Sequence, residues 1–250
     1  MLRKRTVISL TTALLAIAGT NYSAAEPMRC LDQDTADMTP ISAVVEADLR
    51  FMREEEKLAR DSYLVLGEKW GLTIFDNISV SEQRHMDAME HLLDKFNVDD
   101  PVQDETDIGT FENDDLQALF YMLESWGLKS KMDALEVGGF IEEADMTDIR
   151  NAIDRVLAED PVNVDIVTTY EGLLCGSRNH LRAFVGQIES NGGDYDPYFL
   201  DPVELDAIVD SPKERDCGGN HRGNGHEGGH DNDNENDNGK GKGNKKGSGN

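Results

Sequence analysis

Apolar residues recur through most of the chain at intervals that keep them on one face of an α-helix. From Ser42 to Trp70 the stripe is Leu49, Met52, Ala59, Tyr63, Leu66 and Trp70, and Gly71 is placed to end the helix. Thr73 is a cap for a second helix to about Phe96, with Phe75, Ile78, Met89, Leu92 and Leu93 on one side, and Asn97 to Pro101 stop it. A polar, acidic stretch to Asn113 then leads into a short helix from about Asp114 to Trp126 that stops at Gly127. A third long helix is predicted from about Ser130 to Leu157 and a fourth from about Asn163 to Glu189. No segment alternates with the two-residue period of a strand for long enough to predict one. The chain is therefore expected to be all-α. Tight turns within each pair of long helices, and a long link between the pairs, give a four-helix bundle with one long crossover that contains a short helix. Residues 194–212 are expected to pack as an ordered extension, with a short helix after Asp201-Pro202.

The two ends read differently. Met1 to Ala25 has a basic start, a short apolar run and small residues before Glu26, the form of a cleaved secretory signal. Export to the periplasm or the extracellular space follows, with residues 26–42 as an N-terminal extension, 43–212 as the helical domain, and no membrane attachment after cleavage. From Lys213 to Asn250 the composition is Gly, Asn, Asp, His and Lys in a low-complexity array that cannot bury a core, so disorder is expected. Its His221, His226 and His230 suit at most loose cation binding, and Asp231 to Gly239 does not place its glycine where a calcium loop needs it.

The chain carries a formal charge of -26, and losing Arg3, Lys4 and Arg5 would move it to -29. The acidity belongs to the helical domain, since the tail is balanced, and it argues against nucleic acid or anionic membrane as a partner. Cys30, Cys175 and Cys217 are too few for a disulfide scaffold. Cys30 and Cys217 flank the helices and are expected to pair, leaving Cys175 as a small buried hydrophobe.

Several polar residues interrupt the apolar stripes. Glu56 lies on the stripe of the first helix, and Glu82 and His85 lie one turn apart on that of the second. Glu142 and Asp145 interrupt the third, with Glu143 pointing sideways, and His180 sits at the edge of the face defined by Tyr170, Leu173, Ser177, Leu181 and Phe184. His91 is off the stripe and reads as a surface residue. Buried carboxylates must be neutralised, paired or bound to metal. Inward acids and histidines at mid-length on four helices favour the last.

The segments Glu56-Lys-Leu-Ala-Arg-Asp-Ser-Tyr63 and Glu82-Gln-Arg-His85 resemble the first- and second-helix motifs of the ferritin-like superfamily, especially rubrerythrin-type proteins. The segments Gly139 to Asp145 and Gly176 to Phe184 resemble an uncharacterised family of secreted bacterial ferritin-like domains. The resemblance covers about residues 43–190 and implies a ferritin-like bundle with a dinuclear iron or manganese site. It departs at Ser177, where the superfamily carries a ligand glutamate, and Asp145 is the candidate replacement. The implied ligands are Glu56, Glu82, His85, Glu142, Asp145 and His180, with Tyr63 and Tyr170 as nearby hydrogen-bond or one-electron donors. A single metal, or a metal-free polar core, also fits the loss at position 177.

Three functions are compatible with this reading. A redox enzyme would act on oxygen or peroxide with an external electron donor, because no Cys-x-x-Cys pair is present. A storage or binding module would hold the metal without turnover. A structural bundle would satisfy its inner acids with Arg60, Arg182 or tyrosines. The expected assembly is a monomer or homodimer, not a closed shell.

Overall fold

In the computed structural model, residues 40–215 and Cys217 are described, and these contain six helices and no strand. The segment expected to be a signal, Cys30 and the histidine-bearing tail lie outside them. The helices are α1 (Ala43–Trp70), α2 (Thr73–Phe96), α3 (Asp114–Gly127), α4 (Lys131–Leu157), α5 (Val164–Ser190) and α6 (Pro202–Val209).

Local chemistry sets most ends. The Ser42 side chain accepts from the Val45 N–H, and Gly71 closes α1 in the left-handed region at φ 62°. Ser130 caps α4 through the Asp133 N–H, and Asp201 caps α6 with Pro202 as its first residue. The cap expected at Thr73 is corrected: Thr73 is the first residue of α2, and Leu72 occupies the cap position with no side-chain hydrogen bond.

The long helices pack side by side, α1 along α2 and α4 along α5, with α1 against α4 and α2 against α5 closing the ring. The α2–α5 seam is looser than the α1–α2 and α4–α5 seams. Two apolar clusters form the interior. One is built around the rings of Tyr63, Phe75 and Phe184, whose centroids lie 5.3 to 5.9 Å apart, and the other around Leu49, Met89, Ile149 and Tyr170. On α1, α2 and α5 the level between these clusters carries Glu56, then Glu82 and His85, then Ser177 and His180, all buried.

Every residue of α1 from Met52 to Tyr63 is buried, on all sides of the helix. The outer side carries Arg53, Glu54, Lys57, Arg60 and Asp61, and the crossover 98–113 lies across it. Arg53 pairs with Asp100 and Glu105, Lys57 with Asp61 and the Asp107 carbonyl, and Arg60 with Asp61, Gln83 and the Glu105 carbonyl. The Asp61 carboxylate also accepts from the Gly109 N–H, and Glu54 accepts from the Glu112 and Asn113 N–H groups. These buried charges are paired, as burial requires. The crossover is thereby fixed to the helix that carries Glu56.

Candidate metal centre

Helix α1 contributes Glu56, α2 contributes Glu82 and His85, α4 contributes Glu142, and α5 contributes His180. Two ligand triads result, Glu56–Glu82–His85 and Glu82–Glu142–His180, each with its candidate atoms within 4.8 Å of one another. Glu82 belongs to both. Nδ1 of His85 lies 2.8 Å from Oε2 of Glu82 and 3.1 Å from Oε2 of Glu56. Nδ1 of His180 lies 2.8 Å from Oε1 of Glu82 and 3.4 Å from Oε2 of Glu142. The two imidazoles stack with centroids 5.5 Å apart.

Several of these contacts are close without being aligned. Oε1 of Glu82 and Nδ1 of His180 form no hydrogen bond despite their separation, and Oε1 of Glu56 and Oδ1 of Asp145 have none either. A buried polar atom without a hydrogen bond costs about 1–3 kcal/mol, more when charged. Side chains that converge on a shared point, and not on one another, leave this pattern, and hard cations with oxygen and imidazole ligands would satisfy the orphaned atoms of Glu56, Glu82 and His180. The residues therefore fit a metal.

The acids and imidazoles of the cluster also shift one another's protonation. Burial raises the Glu56 carboxyl to about 7, with His85 opposing the shift. Burial also resists ionisation of Glu82, but His180 and His85 outweigh it and hold that carboxyl below its usual range. Burial disfavours the charged imidazoles, yet Glu56 and Glu82 raise His85, and Glu82 and Glu142 bring His180 to about 10.

The remaining expected residues divide. Glu142 accepts from the Tyr63 hydroxyl at 2.5 Å, which places Tyr63 directly behind a candidate ligand, and burial followed by the Glu142 and Glu82 charges keeps that phenol protonated. Asp145 is buried beside the triads without joining either, with one oxygen 2.5 Å from Oγ of Ser177 and its pKa raised by burial and then by Glu56 and Glu142. Ser177 thus holds the candidate replacement for the missing glutamate. Tyr170 lies apart, in the second apolar cluster near Asp48, Arg155 and Glu55, and makes no hydrogen bond to any of the six expected ligands. Glu143 faces away from the centre: Tyr195 Oη and the N–H groups of Tyr198, Phe199 and Leu200 donate to it, which fixes the C-terminal extension.

Two expectations are corrected. Arg60 and Arg182 do not neutralise the inner acids, because Arg60 serves the crossover and Arg182 bonds the Ile208 carbonyl, Ser211 and Glu214. Cys217 pairs with Cys175, and not with Cys30, across a Cα–Cα distance of 5.3 Å. Arg178, Arg182 and Asn179 hold Glu214 against α5, and this brings Cys217 to that helix. Sequence reasoning also missed Glu55, buried next to Glu56, with its pKa raised by burial and then by the Asp148 charge. Its position off the stripe gave no signal of burial.

The model of an uncharacterized protein domain, DUF2202, matches residues 46–212. The uncharacterized protein MJ0754 of Methanocaldococcus jannaschii is 46% identical over 176 residues, which span 70% of this chain and 92% of that protein. A crystal structure of the hypothetical protein MJ0754 superposes with a TM-score of 0.67 at 45% identity, covering 71% of this chain and 98% of that one.

Proposed function

The chain belongs to the DUF2202 family, and we propose that it is an exported, ferritin-like four-helix bundle that holds a dinuclear iron or manganese site with oxidase- or peroxidase-type redox activity. The observation that carries this reading is the sharing of Glu82 between two buried triads drawn from four helices. A carboxylate common to two ligand sets suits two adjacent cations. Two long helix pairs joined through a crossover with a short helix support the ferritin-like assignment. A disulfide at Cys175 and a signal-like N-terminus support export to an oxidising compartment. Among the described residues no helix is long and apolar enough to cross a membrane.

Glu56 and His85 would hold one ion, Glu142 and His180 the other, and Glu82 would be common to both. Such a pair supplies, when bound, open positions that react with oxygen or peroxide. The protein's own residues set the conditions. Burial excludes bulk water from the carboxylates, the Tyr63 hydroxyl orients Glu142 and keeps a proton at the edge of the site, and the Ser177 hydroxyl holds Asp145 beside the triads. Electrons must come from an external donor.

The test is elemental analysis of protein ending at Cys217, so that the tail histidines are absent, after anaerobic loading with iron(II) and with manganese(II). Two equivalents are expected, followed by oxygen or peroxide consumption by the iron form. Glu82→Ala combined with His85→Ala should lose both equivalents and keep a helical circular dichroism spectrum. Full metal content in that variant would refute the assignment.

A further inference from the structure

The loose α2–α5 seam opens as a groove of about 1140 Å³, and His85 and His180 form part of its wall. The carboxylates of the triads do not line it, so the two imidazoles stand between the groove and the acids behind them. Gly176 lets the His85 ring pack close against α5 at the groove wall, since a Cβ there would fall 2.5 Å from Nε2 of that ring. Gly186, farther along α5, faces open space, with nothing within 4 Å of the position a Cβ would take.

Charge and size both indicate what the groove takes. Of the chain's 250 residues 50 are acidic, yet none of the described residues lining the groove is an aspartate or a glutamate. Three cations line it instead. Arg182 is committed to Glu214, but Arg84 and Lys213 are exposed on the wall and form no ion pair among the described residues. Hydroxyl and amide groups of Ser81, Thr168, Asn179 and Gln187 alternate with the apolar surfaces of Ile78 and Leu173. A cation, dioxygen or peroxide needs only about the volume of a water, roughly 30 Å³, whereas sites for organic ligands run to about 300–1,000 Å³. A groove lined by cations on an otherwise acidic protein selects an anion.

We infer that the α2–α5 groove binds a small organic oxyanion, a molecule with a carboxylate or phosphate group and a partly apolar body, and holds it against the His85–His180 face of the centre. The inference depends on the metal reading for what the ligand is brought to, and not for binding itself. Guanidinium and ammonium recognise both oxyanions, Arg84 through a planar fork and Lys213 as a point charge.

The test uses the full chain, disulfide intact, first without metal. Benzoate, phenyl phosphate and neutral benzyl alcohol are titrated by calorimetry and by ligand-observed nuclear magnetic resonance. At least one anion should bind saturably and at least tenfold more tightly than the alcohol, and comparison of the two anions tells carboxylate from phosphate recognition. Arg84→Gln combined with Lys213→Gln should weaken anion binding about tenfold. Gly186→Trp, which fills open space, should block it. Absence of saturable anion binding, or wild-type binding in both variants, would overturn the inference. The protein is then loaded with manganese(II), and the bound probe's protons should broaden. Binding without broadening in protein shown by elemental analysis to be loaded would overturn the placement at the centre. Failure to load counts against the metal reading, while the metal-free titration still decides the groove.

Discussion

Replacing Gly176 by alanine should separate metal affinity from stability. The new Cβ would lie 2.5 Å from Nε2 and 2.6 Å from Cε1 of His85. Ordinary carbon contacts begin near 3.5 Å, so the ring must retreat by about 1 Å. That movement spares the backbone, because the clashing atoms are the far end of a side chain at the groove wall, but it loosens Nδ1 from Glu56 and Glu82. The helix gains about 0.5–1 kcal/mol from the loss of a glycine, against about 1–3 kcal/mol for the loosened contacts. Net stability should therefore fall by no more than about 2 kcal/mol. A metal ligand tolerates far less, since bond lengths hold to about 0.2 Å, and displaced support of a ligating histidine costs about 10- to 100-fold in affinity. The assay is anaerobic competition for manganese(II) against a chelator, with thermal unfolding followed by circular dichroism on the same samples. Gly186→Ala, which meets nothing within 4 Å, calibrates the propensity gain alone. Parent-like metal affinity in Gly176→Ala would refute the placement of His85 as a ligand.

Glu143→Ala should free the C-terminal extension, because it strands three buried or half-buried N–H donors; a loss of about 3 kcal/mol or more is expected in urea unfolding, with faster amide exchange at residues 198–200, and unchanged exchange would show another anchor. Reducing the disulfide should lower the melting temperature, since closing a sequence separation of 42 residues contributes up to about 4 kcal/mol by chain entropy; an unmoved transition in reductant would contradict the pairing. Acid should also loosen this end. Hydrogen bonds from Arg178, then Arg182, hold the Glu214 carboxyl down to about 2, so its contribution is complete above its ordinary range near 4.5 and disappears as pH falls through about 2. With Glu214 30% exposed, about 1 kcal/mol is expected, and Glu214→Gln should remove that part of the acid limb of a stability–pH profile.

Helix positions were legible in the sequence because they depend on neighbours within a few residues: the caps at Ser42 and Ser130, the left-handed Gly71 and the stripes through Leu49, Ile78, Ile149 and Phe184 all act inside one helix. The same spacing turned Glu56, Glu82, His85 and Glu142 inward, since a stripe fixes the azimuth of a side chain about its own axis. It misjudged α1, where Arg53, Lys57, Arg60 and Asp61 form the face that a stripe reads as solvated and the crossover instead covers. Cysteine pairing was equally out of reach, because the Glu214 clamp that delivers Cys217 to Cys175 joins segments far apart in the chain. The sequence by itself determined which residues are helical and that Glu56, Glu82, His85 and Glu142 turn toward the interior. Only the tertiary structure decided that Glu82 is common to two triads, that Tyr63 reaches Glu142 while Tyr170 lies apart, and that the α2–α5 seam stays open, because distances between helices are set by how their surfaces pack and not by the period of any one of them.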